Sequence, residues 1–358
     1  MRILYLSDCY IESSIFASQV HSLCEHQCKF LDVTLLAHTH GKNRSFIKYN
    51  YDIILRRWIP NMSVPFIAAA VGVWYRLTGI LTGYDVLHAR GHVMSFVAIT
   101  SQSFTSKKIR VIADIRGESA AEGFGSGSRL TRWLKVKFVR WIEAVIFKKS
   151  DHILFVSEAM AEHFCSMYKI PDSKVSVFPT LVNTKFFYRS SDLRARKRKE
   201  LKINEGQFVY VYSGGISYWQ NIDKIIYRFV NISKSSNRFV LLILTTAPDK
   251  VKEIVVKAGG ANENIIVLRV PYEEVGAYLN AADAGLLIRD DSIINRVASP
   301  TKANEYVACG LPVIDGLEGI GAFDISPWIR QVIDFRSLDE VALGHRDIYA
   351  GLCSKDSV

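Results

Sequence analysis

Short apolar runs recur along the chain, separated by segments of helix length. In the first half they fall at Ile3–Ser7, Val33–Ala37, Ile53–Arg56, Val86–Ala89, Val111–Ile115, Ile153–Ser157 and Val175–Phe178. In the second half they fall at Phe208–Ser213, Phe239–Thr245, Ile265–Leu268, Ala284–Ile288 and Pro312–Ile314. Strands that are apolar on both faces suit a parallel sheet covered on both sides. Their alternation with helices predicts an α/β chain of doubly wound, Rossmann-like sheets. The pattern runs twice, with a break around Asn183–Asn204. Two domains are therefore expected, 1–187 and 188–358. The charged segment Arg194–Glu200 in the break is expected to be a surface helix opening the second domain. Ligands of such folds bind beyond the carboxyl ends of the strands. The residues just after each strand are thus the candidates for chemistry.

The length of 358 residues fits two domains. The composition, 49% apolar and 22% charged, is that of a globular protein and excludes disorder or coiled coil as the main architecture. The longest apolar run, Met62–Tyr75, stops at Arg76 and falls short of the ~20 residues of a membrane span. Met1–Tyr5 reads as a first strand and not as a signal peptide, so the expected compartment is the cytoplasm. The net charge of +10 is uneven: residues 1–187 carry 23 Lys and Arg against 14 Asp and Glu, and residues 188–358 carry 22 against 21. A basic front half points to an anionic partner such as a membrane surface or a phosphorylated ligand. Nucleic acid is set aside, because no aromatic-basic module of a known kind is present. The six cysteines form no CxxC pair and have no histidine partners at zinc spacing, so no metal is expected.

The richest segment is Ser299–Pro312. Ser299 suits an N-cap and Pro300 the first helical position; Gly310 suits the C′ position and Pro312 forbids continuation. This predicts a helix of roughly ten residues whose N-terminus lies in the loop after Ala284–Ile288. Free backbone N–H groups there attract phosphate. Ser299, Thr301 and Lys302 add donors, and Arg289 and Arg296 lie in the preceding loop. Glu305, one turn further in, can accept hydrogen bonds from ribose hydroxyls. A second loop, Tyr212–Ser217, carries Gly214 and Gly215, which let backbone approach a ligand. Neither GxGxxG nor GxxxxGK[ST] occurs, so dinucleotide and P-loop readings have no support.

The run Pro300-Thr301-Lys302, Glu305-Tyr306 and Ala308-Cys309-Gly310-Leu311-Pro312-Val313-Ile314 resembles the donor-site motif of family-4 retaining glycosyltransferases, which have the GT-B fold. Phe155–Met160, Val177–Asn183 and Val209–Ile216 resemble further stretches of that family, so the likeness extends over nearly the whole chain. It implies a C-terminal domain that binds a nucleotide-sugar, an N-terminal domain that binds the acceptor, and a cleft between them. In the family's acidic motif of Glu, seven residues, Glu, the second Glu matches Glu305. The first falls on Val297. Gly215 and Gln220 stand where the family usually has an Arg and a Lys that clamp the diphosphate. The resemblance then leaves Arg289, Arg296 and Lys302 to hold the phosphates, a donor with one phosphate such as a CMP-sugar, or a protein that has lost catalysis.

In the first domain Arg116 takes the place of a histidine often found in the family. The reading makes Arg116 a contact to the donor sugar or its phosphates, and His88, Arg90, Asp114 and Glu118 an acceptor-side rim. The family's front-face mechanism needs no dedicated base, because the leaving phosphate takes the acceptor's proton. Lys302, Arg289 and Arg116 are then the catalytic candidates, and no metal or other cofactor is implied. Arg129–Phe147 reads as an amphipathic helix. One stripe carries Leu130, Leu134, Phe138, Trp141 and Val145; the other side carries Arg129, Arg132, Lys137 and Arg140, with Trp133 and Val136 among them. That pattern suits either an anionic membrane face or a solvated basic face. A last helix is expected to run to about Ala350, leaving too few residues for the further helix with which the family crosses back to its first domain. The expected function is sugar transfer from a nucleotide-sugar, with retention, to a glycan or lipid-linked saccharide in surface polysaccharide biosynthesis, at the inner face of the cell membrane. The alternatives are a catalytically silent, membrane-docked subunit of a glycan assembly complex, and a sugar-nucleotide epimerase.

Overall fold

The computed structural model describes residues 1–13, 15–39, 49–56, 65–102, 109–122, 129–234, 236–259, 263–322, 324–330 and 338–354, with the backbone alone at 65–66, 122 and 129–132. The chain divides into two units. One comprises Met1–Thr180, Arg296–Ser299 and Arg336–Val358; the other comprises Leu181–Asn295 and Pro300–Phe335.

The first unit is built on seven parallel strands, β1 (Arg2–Tyr10), β2 (Asp32–His38), β3 (Asp52–Arg56), β4 (Val86–Arg90), β5 (Arg110–Ile115), β6 (His152–Phe155) and β7 (Val175–Val177), in the order β3-β2-β1-β4-β5-β6-β7. The strand order reverses between β1 and β4, the place where doubly wound folds open a crevice. Helices α1 (Ser22–Gln27), α2 (Pro65–Leu77), α3 (Gly91–Gln102), α4 (Ser119–Glu122), α5 (Arg129–Lys149) and α6 (Glu158–Tyr168) make the connections. The central strands are buried on both faces, as their apolar runs require: Leu4, Leu87 and Ile112 have no exposed surface. Ser157 caps α6 by accepting the Met160 N–H, and Lys169 ends it in the left-handed conformation.

Helix α5 spans the predicted residues, but its faces are turned. Arg140, expected outside, points inward and forms ion pairs with Glu118 and Glu143, which are both fully buried. The Tyr168 hydroxyl donates to Glu143 at 2.6 Å. Leu134 and Trp141, expected in the buried stripe, are half exposed, as is Trp133. The reason is electrostatic. Two carboxylates taken out of water need a cation and hydrogen-bond donors, and this rotation brings Arg140, already beside Glu143 on the same helix, to Glu118.

The second unit has six strands, β8 (Phe208–Ser213), β9 (Phe239–Leu244), β10 (Ile265–Leu268), β11 (Ala284–Leu286), β12 (Val313–Ile314) and β13 (Ile329–Arg330), in the order β10-β9-β8-β11-β12-β13. All are parallel except β13, which runs antiparallel to β12. Helices α7 (Ser191–Glu200), α8 (Ile222–Ser233), α9 (Pro248–Gly259), α10 (Tyr272–Leu279), α11 (Ile293–Val297) and α12 (Thr301–Ala308) cover the faces and link the strands. Alternate residues of β8 feed two cores, Val209 and Val211 on one side, Tyr210 and Tyr212 on the other. Gly285 lets the Tyr306 ring lie on β11; a Cβ there would come within 2.2 Å of the ring. Helix α7 is less of a surface helix than its charge suggests. Arg198 is buried and donates to the carbonyls of Ala281, Asn204 and Gln207 and to Asp283.

The chain then returns to the first unit as α13 (Leu338–Ser354). The boundary expected at 187/188 falls at 180/181, and the closing helix groups with the first unit instead of the second. The expectation that the chain is too short for a returning helix is thus corrected: α13 is that helix. Its Gly344 faces the Phe178 ring, Lys29 pairs with Asp339 at 3.0 Å, and Gln27 donates to Tyr349 Oη at 3.2 Å.

Candidate functional site

The carboxyl ends of β8 and β11 in the second unit bring together the two stretches singled out in the sequence. Strand β8 ends at Ser213, whose N–H donates to the Tyr306 hydroxyl at 2.8 Å. Gly214 follows with φ +144, a conformation that disfavours a side chain. The Tyr212 hydroxyl donates to the Gly215 carbonyl at 2.5 Å and closes the loop. A 3₁₀ turn, Tyr218–Gln220, ends at Asn221 in the left-handed conformation.

Lys302, on the first turn of α12, reaches back under this loop. Its Nζ donates to Gln220 Oε1 at 2.7 Å and lies 4.1 Å over the Tyr212 ring. A Cβ built on Gly214 would stand 3.0 Å from that nitrogen. The glycine therefore gives the ammonium its place. Arg289, just past β11, is half-buried, and its Nε has no hydrogen-bond partner among the described residues. No carboxylate lies within 4.0 Å of Lys302 or Arg289 among the described residues. Burial, with the Arg289 charge, pushes Lys302 down to about 7. Burial and Arg330 lower Arg289. Glu305 is buried one turn deeper and is pushed up to about 8 by burial, against the pull of Lys302. The Tyr272 hydroxyl is buried without a partner among the described residues, and the Glu305 charge raises its pKa further above what burial does. The result is a dry patch holding two cations with no close counter-ion. An anion entering it supplies the missing charge.

Sequence reasoning places Lys302, Arg289, Gly214, Gly215 and Glu305 around this patch, and the structure gathers them in one unit. Thr301 opens α12 half-buried. Ser299 and Arg296 group with the first unit. Ser299 is not the N-cap; Pro300 holds that position, and α12 has no side-chain cap. The Ser299 hydroxyl instead accepts the Thr180 N–H at 3.0 Å, so its donor role is corrected to a local clasp. Val297, at the position of the missing Glu, is buried, and its carbonyl accepts the Ser157 hydroxyl at 2.6 Å. Gln220, Tyr212, Tyr272 and Tyr306 were missed. The signal available was Gln220, which stands in the place of a lysine and turns out to hold one.

The acceptor-side candidates of the first unit lie deeper than a rim. His88, Asp114 and Glu118 are fully buried and Arg90 nearly so. Arg116 donates from Nε and Nη2 to Asp114 Oδ2 at 2.9 and 2.7 Å. Although burial works to raise Asp114, Arg116, ahead of His88 and Arg90, holds its carboxyl well below the usual range. His88 Nε2 is 3.3 Å from the same oxygen, and its Nδ1 is 2.5 Å from Tyr349 Oη. Glu118 accepts the Ala121 N–H and pairs with Arg140. His88, Asp114 and Glu118 are thus corrected from substrate contacts to buried network groups, and Arg116 gives Nε and Nη2 to Asp114 while its Nη1 has no partner among the described residues. Of the membrane candidates, Trp133 and Lys137 are exposed and Arg140 is not. The side chains of Arg129 and Arg132 lie outside the described residues.

Two family models match in succession. Glycosyltransferase Family 4 matches residues 17–186 and Glycosyl transferases group 1 matches residues 194–316. No curated protein sequence matches the chain. Among solved structures, sucrose-phosphate synthase from Thermosynechococcus elongatus is similar with TM-score 0.67 at 14% identity, covering 98% of this chain and 90% of that one. WaaG, a glycosyltransferase involved in lipopolysaccharide biosynthesis, gives 0.63 at 14% over 98% and 93%. Anabaena Alr3699/HepE in complex with UDP-glucose gives 0.63 at 14% over 100% and 90%. At these identities the structures speak for the fold, and the family models speak for the lineage. Two glycosyltransferase family models thus account in succession for residues 17–186 and 194–316, and the fold is the GT-B fold of glycosyltransferases.

Proposed function

We propose that the chain transfers a sugar, with retention, from a nucleotide-sugar to a glycan or lipid-linked saccharide of surface polysaccharide biosynthesis. The observation that carries this reading is the cation pair of buried Lys302 and half-buried Arg289 beside the Gly214–Gly215 loop. A desolvated diphosphate requires such cations and offers them the charge they lack. That Alr3699/HepE is described with UDP-glucose and with UDP supports a uridine nucleotide as the first to test. WaaG's place in lipopolysaccharide biosynthesis supports the acceptor class.

In the proposed reaction the bond from the anomeric carbon to the leaving phosphate breaks and the bond to the acceptor oxygen forms on the same face. The acceptor proton passes to a phosphate oxygen. Lys302 and Arg289 stabilise the charge that grows on the departing phosphate, and Glu305 orients the ribose. Catalysis is then positioning plus electrostatic stabilisation, with no residue required as base.

The test is calorimetric titration of wild type and Lys302→Ala with UDP, GDP and CMP. Binding of one nucleotide, lost in the variant, supports the reading. Absence of binding by all three in a folded protein overturns it. A silent subunit is the second reading, favoured by Val297 in place of the first acidic residue. Tight nucleotide binding with no sugar transfer or donor hydrolysis would favour that reading.

A further inference from the structure

Two arginines stand at the carboxyl edge of the first unit's sheet. Arg90 closes β4, and Arg116 lies one residue past the end of β5. The register sets Arg90 opposite Asp114. Both guanidiniums approach the same carboxylate oxygen: Asp114 Oδ2 is 2.7 Å from Arg116 Nη2 and 3.9 Å from Arg90 Nη1. The second distance is too long for a hydrogen bond. Arg90 is only 8% exposed, so it is not a strand-end cation meeting solvent. Its Nη1 and that of Arg116 are both buried with no hydrogen-bond partner among the described residues.

The neighbouring groups do not make up the charge. His88 is buried, and burial lowers its pKa, so the ring is neutral. The Tyr5 ring stacks on it at 4.4 Å, and the Tyr5 hydroxyl, raised by burial, is neutral and also without a partner among the described residues. Asp8 of β1 is pushed up by burial against the pull of Arg90. One paired carboxylate therefore faces two guanidiniums. A water would satisfy an orphaned N–H but would leave the surplus charge; an anion answers both. The place suits a ligand, since Arg90 ends β4 where the strand order reverses. Gly91 follows with φ +77, and a Cβ on it would meet no atom within 4 Å, so the chain keeps space beside Arg90. Helix α3 starts at this glycine, and the N–H groups of its first turn add to the positive edge.

We propose that this edge of the first unit binds a negatively charged group of the acceptor saccharide, a carboxylate or a phosphate ester, held by Arg90 and Arg116. The proposal rests on the sugar-transfer reading and narrows it, because a neutral acceptor would leave the surplus cation buried and unpaired. Asp114 is the positioning residue. It holds Arg116 by Nε and Nη2, which fixes the guanidinium plane and leaves Nη1 for the ligand.

The experiment is calorimetric titration of the full chain with glucose, glucuronate and glucose 6-phosphate at matched ionic strength. It is run on wild type, Arg90→Gln, Arg116→Gln and Lys302→Ala, the last removing the competing cation of the other unit. At least one charged sugar is expected to bind about tenfold more tightly than glucose. Both arginine variants should lose that preference, and Lys302→Ala should keep it. The charged sugar that binds names the group. Arg90→Gln leaves the Arg116–Asp114 pair in place, so it decides the matter if Arg116→Gln does not fold. Equal affinity for all the sugars, no binding at millimolar concentration, or a preference that survives Arg90→Gln overturns the proposal. So does a preference lost only in Lys302→Ala, because the charge would then be read by the other unit. Titration with UDP keeps the two readings apart. UDP binding without a preference for charged sugars sinks this proposal alone, whereas the preference without nucleotide binding supports the anion site and sinks the transfer.

Discussion

Lys302 is held where a lysine is least comfortable: buried, beside Arg289, against an amide oxygen and an aromatic face. Such a group is costly in the empty site and gains when an anion arrives. Lys302→Met should therefore separate binding from stability. Nucleotide binding should disappear in calorimetry. The melting temperature should stay level or rise, because removing the buried charge offsets the roughly 1 kcal/mol of the lost bond to Gln220. The same group sets a pH dependence. Anion binding favours the charged form, which is fully populated below about 7 and lost as pH rises through it. Nucleotide affinity should accordingly fall between pH 6 and pH 8.5, and the fall should vanish in Lys302→Arg, whose charge does not titrate there. An affinity flat across that range in wild type would remove Lys302 from the phosphate contact. Val297 makes the opposite case. A glutamate at this buried position would have its carboxylate taken out of water, so Val297→Glu should destabilise by about 2–4 kcal/mol in denaturant unfolding and should not restore the family's motif.

At the scale of elements, the period of apolar residues located all twelve expected strands, because parallel strands buried on both faces write continuous apolar runs. β13 escaped it: two exposed residues leave no run to find. Helix α5 shows what periodicity cannot decide. Its basic and apolar residues alternate around the axis, so two stripes are nearly equivalent. The choice between them is made by Glu118, which lies outside α5 and is buried under Arg140. A charge that will be buried looks the same in a sequence as one that will be solvated; Arg198 on α7 repeats the lesson. The grouping of Lys302 and Arg289 was legible because these residues follow strand ends, whereas His88 and Asp114 follow the same rule and prove to be interior. If the pairs with Glu118 and Glu143 fix α5, Arg140→Met should cost about 3 kcal/mol, since it strands two buried carboxylates. Adding Glu118→Gln and Glu143→Gln to that variant should recover part of the loss. A loss below about 1 kcal/mol in urea unfolding would show that the pairs do not position the helix.

At the scale of the whole molecule, the histidines are divided as unevenly as the charge. All nine lie in the first unit, and the second has none. Burial holds His38 and His92 down to about 4, and it lowers His88 and His345 as well. His88 and His345 sit where α13 joins the sheet, with Gln27 and Tyr349 bonded to them. In the unfolded chain these rings take protons near pH 6.5, while in the fold they resist; the unfolded state then binds more protons, and stability falls as pH drops from 7 to 5. The second unit responds with the other sign. Glu305 keeps its proton up to about 8 in the fold and releases it near 4.5 when unfolded, so acidification over the same range favours the folded state. A calorimetric scan that resolves the two units should therefore show one transition moving down by several degrees between pH 7 and pH 5 and the other holding or moving up. The falling transition should be the one in which α13 melts, which a tryptophan placed at the half-buried Arg346 would report. Both transitions falling together would mean that carboxylates, not buried histidines, set the acid limit of this fold.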